Sequence, residues 1–269
     1  MRLGIGTYAF AWAIGVPGYP PRKPLPVLEF LDKASLYEFD VVQIGDNIPL
    51  HLLRDTQLRS LKNEAEQLGL DIEVGMRGLL ETMVLEYLKI AEDLKSPILR
   101  IVIDTPEYKP DIPEVIKVVR KLLPILKSKN IRLAIENHDR FRSDEFVQII
   151  EETDPQWIGI CLDSVNSLGA GEGFFAVAQK LLPYTFNVHI KDYIIKRLDH
   201  HMGFSVTGTI AGKGMLPIPW LLESLKQINK CTSAILELWP APEKDVEATI
   251  RKEELWVGES AKYLRSVIR

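Results

Sequence analysis

Residues 132–138 read Arg-Leu-Ala-Ile-Glu-Asn-His, and the fold turns on how this stretch is read. Leu133, Ala134 and Ile135 are apolar, and three polar residues follow them without a break. A short apolar run that ends so abruptly fits a buried strand whose last turn leaves the core. Side chains alternate along a strand, so Glu136 and His138 point to the same side. A buried carboxylate is costly unless it is paired or bound to a cation. Glu136 is therefore either tied to a Lys or Arg at the edge of the core or part of a site.

Seven other runs repeat the pattern, at residues 2–10, 41–47, 71–78, 98–104, 158–166, 186–192 and 233–240. Each is followed by a polar or Gly/Pro break and then by helical periodicity. Pro26 stands at the first turn of a helix over 26–38, where its missing N–H costs nothing. A second helix over 54–67 stops at Gly69, and a third over 82–94 ends ahead of Pro97. The segment 112–129 carries a basic end that suits the helix dipole. Ser143 caps 144–152, and 173–182, 218–228 and 243–267 complete the series, the last expected to be broken or extended because it contains Gly258.

Eight strand–helix repeats predict a (β/α)8 TIM barrel, with residues 1–269 as a single domain. The rival is an open doubly wound sheet, which would carry Gly-x-Gly-x-x-Gly after its first strand. Here Gly4 and Gly6 lie inside the strand, and no such pattern follows. One interval breaks the unit spacing. About twenty residues, 193–212, separate the seventh strand from its helix, and a connection that long is expected to be functional, as a lid over the site.

Composition narrows the function. The chain is 46% hydrophobic and 26% charged, with a formal net charge of -4, so no electrostatic feature favours nucleic acid. Cys161 and Cys231 make no framework and are expected to be reduced thiols. Residues 3–16 are apolar but lack a basic leader and are too short to span a bilayer. A cytoplasmic protein without a membrane partner is expected, and a homo-oligomer is left open.

In a barrel of this kind the active site lies at the C-terminal ends of the strands. Glu136, Asp163, His189 and Glu237 end the fifth to eighth strands and share one arc of the rim. Three carboxylates and an imidazole at one height repel each other unless a cation sits among them. One divalent metal ion is expected there.

The segments AIEN (134–137), ICLDSVN (160–166), NVHIKD (187–192), AGKG (211–214) and ILELWP (235–240) resemble the xylose isomerase-like barrel family over essentially the whole chain. That family comprises sugar isomerases and epimerases, with inosose dehydratase and endonuclease IV as relatives. The resemblance implies that Glu136, Asp163, His189 and Glu237 hold one divalent metal, manganese first, with magnesium, cobalt or zinc as alternatives. It also implies that Glu136 and Glu237 form the acid/base pair. Three positions depart from the ketose 3-epimerase pattern: Asn166 stands where those enzymes have His, Arg142 where they have Glu, and Ile195 where they have Arg, beside Lys196 and Arg197. The metal core matches and the sugar-reading shell does not.

Further candidates carry two readings each. His138 touches the substrate or is a satisfied polar residue. Lys191 stabilises an enolate oxygen or pairs with a neighbouring carboxylate. Arg77 and Asp104 bind hydroxyls or pair. Asp199, His200 and His201 sit in the long connection and read as solvated. Phe10, Trp12 and Trp239 floor a sugar pocket or cap the core. The expected substrate-binding set is His138, Asn166, Lys191, Arg142, Trp12 and Arg197. The expected activity is isomerisation or epimerisation of a sugar or sugar derivative through an enediolate. Loss of a β-hydroxyl from the same enolate makes a dehydratase. A nuclease of the endonuclease IV type would need a histidine-rich zinc cluster, and the chain has five histidines in all. A non-catalytic sugar-binding barrel is the remaining rival.

Overall fold

The computed structural model describes residues 1–268. Its strands are β1 Arg2–Gly6, β2 Val41–Ile44, β3 Asp71–Arg77, β4 Ile98–Val102, β5 Arg132–Glu136, β6 Ile158–Asp163, β7 Thr185–Ile190, β8 Tyr193–Arg197, β9 Phe204–Gly208 and β10 Ser233–Leu236. All but β8 and β9 close into one parallel barrel in the order β1-β10-β7-β6-β5-β4-β3-β2. The helices are α1 Ala11–Ile14, α2 Val27–Leu36, α3 Asp55–Leu68, α4 Glu81–Asp93, α5 Ile112–Lys129, α6 Ser143–Glu151, α7 Phe174–Leu181, α8 Ile218–Ile228 and α9 Val246–Ile268. The chain is a (β/α)8 TIM barrel, as the alternation predicts.

Nearly continuous burial of the barrel strands explains why they read as unbroken apolar runs. Strands β2, β4, β6, β7 and β10 are buried at every position, which parallel sheets covered by helices require. The ladders end earlier than the runs do. β5 stops at Glu136, β7 at Ile190 and β10 at Leu236, so the polar tails of the runs leave the sheet as rim loops. The first run divides as well, because after Gly6 the chain tightens into a 3-10 turn, Thr7–Phe10, and then α1.

One expectation is corrected, and of the two forms expected for the last helix, broken or extended, it takes the extended one. The segment 193–212 is not an irregular loop, because β8 and β9 pair antiparallel with Ile195 opposite Val206 and Arg197 opposite Phe204. The β-branched residues in YIIKR and FSVTG gave that signal. Asp192 pins the base of this hairpin, since its carboxylate accepts the backbone N–H groups of Tyr193 at 2.8 Å, Gly212 and Gly214 at 2.9 Å and Leu216 at 3.0 Å. Gly212 adopts φ +86, which a β-carbon would resist. The final helix is also unbroken, with Gly258 inside it facing the Tyr37 ring, 3.2 Å from where a β-carbon would sit.

Among the described residues, Cys161 and Cys231 are both free thiols. No helix among them is long and apolar enough to cross a membrane.

Candidate metal centre

The ladder sets the four predicted ligands at one height. Asp163 pairs in register with His189, and His189 with Ile235, two residues before Glu237. Glu136 closes β5 one strand away. None of the four is more than 2% exposed. His189 Nδ1 lies 3.4 Å from Glu136 Oε2, 3.6 Å from Asp163 Oδ2 and 3.5 Å from Glu237 Oε2.

Three of these atoms have no hydrogen-bond partner: Asp163 Oδ2, His189 Nδ1 and Glu237 Oε2. They lie within 4.8 Å of one another. Three buried ligand-type atoms converging on one point is an arrangement that a cation stabilises, and the Lys191 ammonium already brings one charge to two of them. Two hard oxygens with one imidazole suit a divalent ion. The other polar atoms of Asp163 and His189 are committed. Asp163 Oδ1 accepts from the N–H of Val165 and of Asn166, each at 2.8 Å, which turns Oδ2 inward. Asn137, between Glu136 and His138, faces the other way and ties β5 to β6. Its Oδ1 accepts the Asp163 N–H at 2.7 Å, and its Nδ2 donates to Asp163 O and Ser167 Oγ, each at 2.9 Å. Gly6 leaves room for Glu237, because a β-carbon there would sit 2.9 Å from its Oε1.

Lys191 supplies charge without completing the oxygens' hydrogen bonding. Its Nζ is 2.8 Å from both Asp163 Oδ2 and Glu237 Oε2. The ammonium thus pairs in charge with both oxygens. Burial opposes ionisation of both carboxylates, but Lys191 and His189 hold the Asp163 carboxyl well below the ordinary carboxylate range. His189 and Lys191 likewise lower that of Glu237.

Glu136 is bound differently. Its Oε2 accepts both Nε and Nη2 of Arg100, and its Oε1 accepts Asn166 Nδ2 at 2.7 Å. Arg100 is 3% exposed, and its Nη1 reaches Asp46 Oδ1 at 3.1 Å. Burial works against the guanidinium charge, yet Glu136 and Asp46 raise its pKa above the ordinary arginine value. Asp46 also accepts Arg77 Nε at 3.0 Å and the Tyr8 hydroxyl at 3.1 Å. Cys161 is the other ligand-type side chain grouped with Glu136 and His189. Burial pushes its thiol pKa far up, so it stays protonated. The sequence reading missed Arg100 and Asp46. The available signal was a lone arginine at the centre of ILRIV, residues 98–102, where a buried strand tolerates a cation only against carboxylates.

The other predicted residues divide into two groups. Asn166 and Lys191 join the cluster through Glu136, Asp163 and Glu237. His138 stands at the rim, its Nε2 3.5 Å from Arg77 Nη2 and its Nδ1 3.3 Å from Asp139. Asp104 is forked by Arg140 at 2.6 and 2.7 Å. Trp12 gives its indole N–H to Pro240 O at 3.3 Å and packs edge-on against Tyr19. Arg142 caps α6 and is 3.9 Å from Glu172. Arg197 lies over the Phe204 ring and donates to His201 O within the hairpin. Among the described residues, no hydrogen bond or ion pair joins Arg142 or Arg197 to the four predicted ligands.

A model of the xylose isomerase-like TIM barrel matches residues 31–267. A 3-oxo-isoapionate decarboxylase of Pectobacterium atrosepticum is 29% identical over 266 residues, covering 98% of this chain and 95% of that protein. The crystal structure of D-psicose 3-epimerase from Clostridium cellulolyticum H10 with D-tagatose superposes with a TM-score of 0.75 at 15% identity, over 100% of both chains. A xylose isomerase-like TIM barrel protein from Mycobacterium smegmatis in complex with magnesium gives 0.73 at 16% identity, over 100% of this chain and 98% of that one.

Proposed function

The chain belongs to the xylose isomerase-like TIM barrel family, and on that premise we propose that it decarboxylates a 3-oxo sugar acid through an enediolate, with a divalent metal held by Asp163, His189 and Glu237. The observation that carries this reading is the state of Glu136. Epimerisation by two carboxylates needs one on each side of the substrate carbon, each free to take or return a proton. Glu136 already accepts from Arg100 on one oxygen and from Asn166 on the other, so neither oxygen is free to meet a substrate carbon. Glu237 is engaged differently, with Oε2 2.8 Å from the Lys191 ammonium.

Decarboxylation asks less of the protein. The bond between the α-carbon and the carboxylate breaks, its electron pair moves into the neighbouring carbonyl to give an enolate, and carbon dioxide leaves. The carbon then takes one proton, and no base acts on carbon at any stage. When bound, a divalent ion supplies Lewis acidity to the carbonyl and an adjacent hydroxyl oxygen. Lys191 is placed to deliver the proton from Nζ, and Glu237 Oε2 to hold that ammonium in position. Arg100 and Asn166 fix Glu136 as a charged wall of the pocket. The relative named 3-oxo-isoapionate decarboxylase supports the same choice of substrate class.

Isomerisation or epimerisation with Glu136 and Glu237 as acid/base pair is the second reading. It is favoured by the near-equal distances of the two carboxylates from His189 Nδ1, 3.4 and 3.5 Å. Incubating the manganese- or magnesium-loaded protein with 3-oxo-isoapionate and with a panel of ketoses in deuterated water separates the two. Carbon dioxide release with one deuterium per product is expected. Deuterium exchange into ketoses without carbon dioxide from any acid would overturn decarboxylation in favour of the second reading.

A further inference from the structure

Below the rim, a chain of buried polar groups runs from His189 across the interior of the barrel. His189 Nε2 lies 2.6 Å from Gln43 Oε1, Gln43 Nε2 donates to Glu73 Oε2 at 3.0 Å, and Ser233 Oγ donates to Glu73 Oε1 at 2.5 Å. Gln43, Glu73 and Ser233 are each no more than 2% exposed. They come from β2, β3 and β10, the first two side by side in register. An alternating strand ordinarily packs aliphatic groups at these inward positions. Four linked polar residues there are an expensive choice for stability alone.

We propose that Gln43, oriented by Glu73, is the positioning residue that fixes His189 as its Nε2–H tautomer and so presents Nδ1 as a bare lone pair to the metal centre. This rests on the reading of that centre as a metal site. Polarity decides the tautomer. An amide has one accepting and one donating end, and which end faces His189 depends on what the other end meets. Glu73 Oε2 accepts from Gln43 when the carboxyl is ionised. A neutral carboxyl accepts in the same way when its proton lies on Oε1 and the Ser233 hydroxyl turns to receive it, whereas a proton on Oε2 would donate to the amide and reverse it. The observed bonds, Gln43 Nε2 to Glu73 Oε2 and Ser233 Oγ to Glu73 Oε1, are those of the accepting carboxylate, and they direct the Gln43 carbonyl oxygen toward His189. That oxygen requires an N–H at Nε2, and a neutral imidazole then carries its lone pair on Nδ1. This is the atom that faces Glu136, Asp163 and Glu237. A reversed amide would place the proton on Nδ1 and close the centre to a cation.

The test uses manganese affinity, measured by competition with a chelator, and the imidazole nitrogen shifts of the magnesium-loaded protein. Gln43→Leu removes the acceptor and should weaken manganese binding roughly 10–100-fold, the range for loss of a partner that orients a metal ligand. Gln43→Glu restores an acceptor for Nε2–H and should bind within a few-fold of the parent. In the unaltered protein His189 should give the shifts of an Nε2–H tautomer. A proton found on Nδ1 there would overturn the inference without any variant. Parental affinity in Gln43→Leu, with binding lost in His189→Ala, would also overturn it while leaving the metal centre intact. Parental affinity in His189→Ala would remove the metal centre itself, and the role of Gln43 with it.

Discussion

Two arcs of the same barrel mouth are built on opposite logic. From β5 round to β10, the strand ends carry Glu136, Asp163, His189 and Glu237, and atoms of the last three are left without partners. From β2 to β4, Asp46, Arg77 and Arg100 bind one another and then Glu136. One arc keeps unsatisfied donor atoms for something that is not protein. The other satisfies its charges internally and neutralises a carboxylate of the first. Glu136 sits where the arcs meet, which makes it a ligand type by position and a structural anion by its contacts.

The sharpest break in that contrast is at Asp163. Asp163→Ala removes one of the three converging atoms and the turn that Oδ1 holds, and metal content should fall to background. Elemental analysis of protein purified without chelators reads it, with an expected loss of affinity of at least about 100-fold, beyond what an orienting partner alone contributes. Unchanged metal content would mean that the open arc is not a ligand set.

Arg100→Met attacks the closed arc. It strands Glu136 and Asp46 without their shared guanidinium, and breaking a buried pair on one side costs about 3–5 kcal/mol. Urea unfolding should show that loss, while Arg77→Met, at a cation that is 32% exposed, should cost much less. If the two variants were equally stable, the closed arc would not be the internally neutralised unit described here.

Legibility in the sequence follows the same division. Eight buried parallel strands announce themselves as apolar runs, and a ligand that follows a run, such as Asp163 after Ile158–Leu162, is visible because polarity changes there. Arg100 and Gln43 lie inside their strands. Each is a single polar letter whose partners, Glu136 and His189, stand 36 and 146 residues away. No local pattern encodes a contact of that range, and alternation alone cannot tell an inward polar residue with a partner from an interruption. The hairpin's strand signal lay in its β-branched residues, but its place in the chain obscured it. Two five-residue strands that pair only with each other sit on no repeat of the barrel, so the regular spacing that reveals the other strands makes this pair look like an insertion.

Acid stability offers a subtler comparison. Asp163 and Glu237 have folded pKa values below their ordinary ones. The unfolded chain then binds more protons, so their contribution is present above the ordinary carboxylate range and is lost as pH falls through the depressed values. Glu253 on α9 has the opposite sign. It accepts the N–H groups of Trp12 and Ala13, but burial raises its pKa from 4.5 to about 8. The contribution of Glu253 is complete below 4.5 and lost as pH rises through about 8. Melting temperature should therefore decline between about pH 4.5 and about pH 8 in the parent, and less so in Glu253→Gln. Equal slopes would show that the two N–H donors keep Glu253 ionised in the folded protein at every pH in that window.

The smallest effect is expected at the β8–β9 hairpin, whose two ends differ in the same sense as the two arcs. Its base is closed, with Asp192 taking four backbone N–H groups and Gly208 packed against Trp239. Its tip is open, with Met202 at 84% and Phe204 at 59% exposure. An exposed side chain away from core and caps contributes within about 0.5 kcal/mol, so Phe204→Ser should leave the melting temperature almost unchanged. The hairpin leaves the barrel directly after His189 and Lys191, and the expectation to test is that it covers a bound substrate. Hydrogen exchange followed by mass spectrometry should then show slow amides at 192–194 and 207–209 with or without substrate. Amides at 196–206 should exchange fast in the free protein and slow down once a 3-oxo sugar acid and metal are both present. Tip amides that exchange at one rate in both conditions would make the hairpin a fixed outgrowth of the rim, and specificity would then have to come from Arg77, His138 and the other residues at the strand ends.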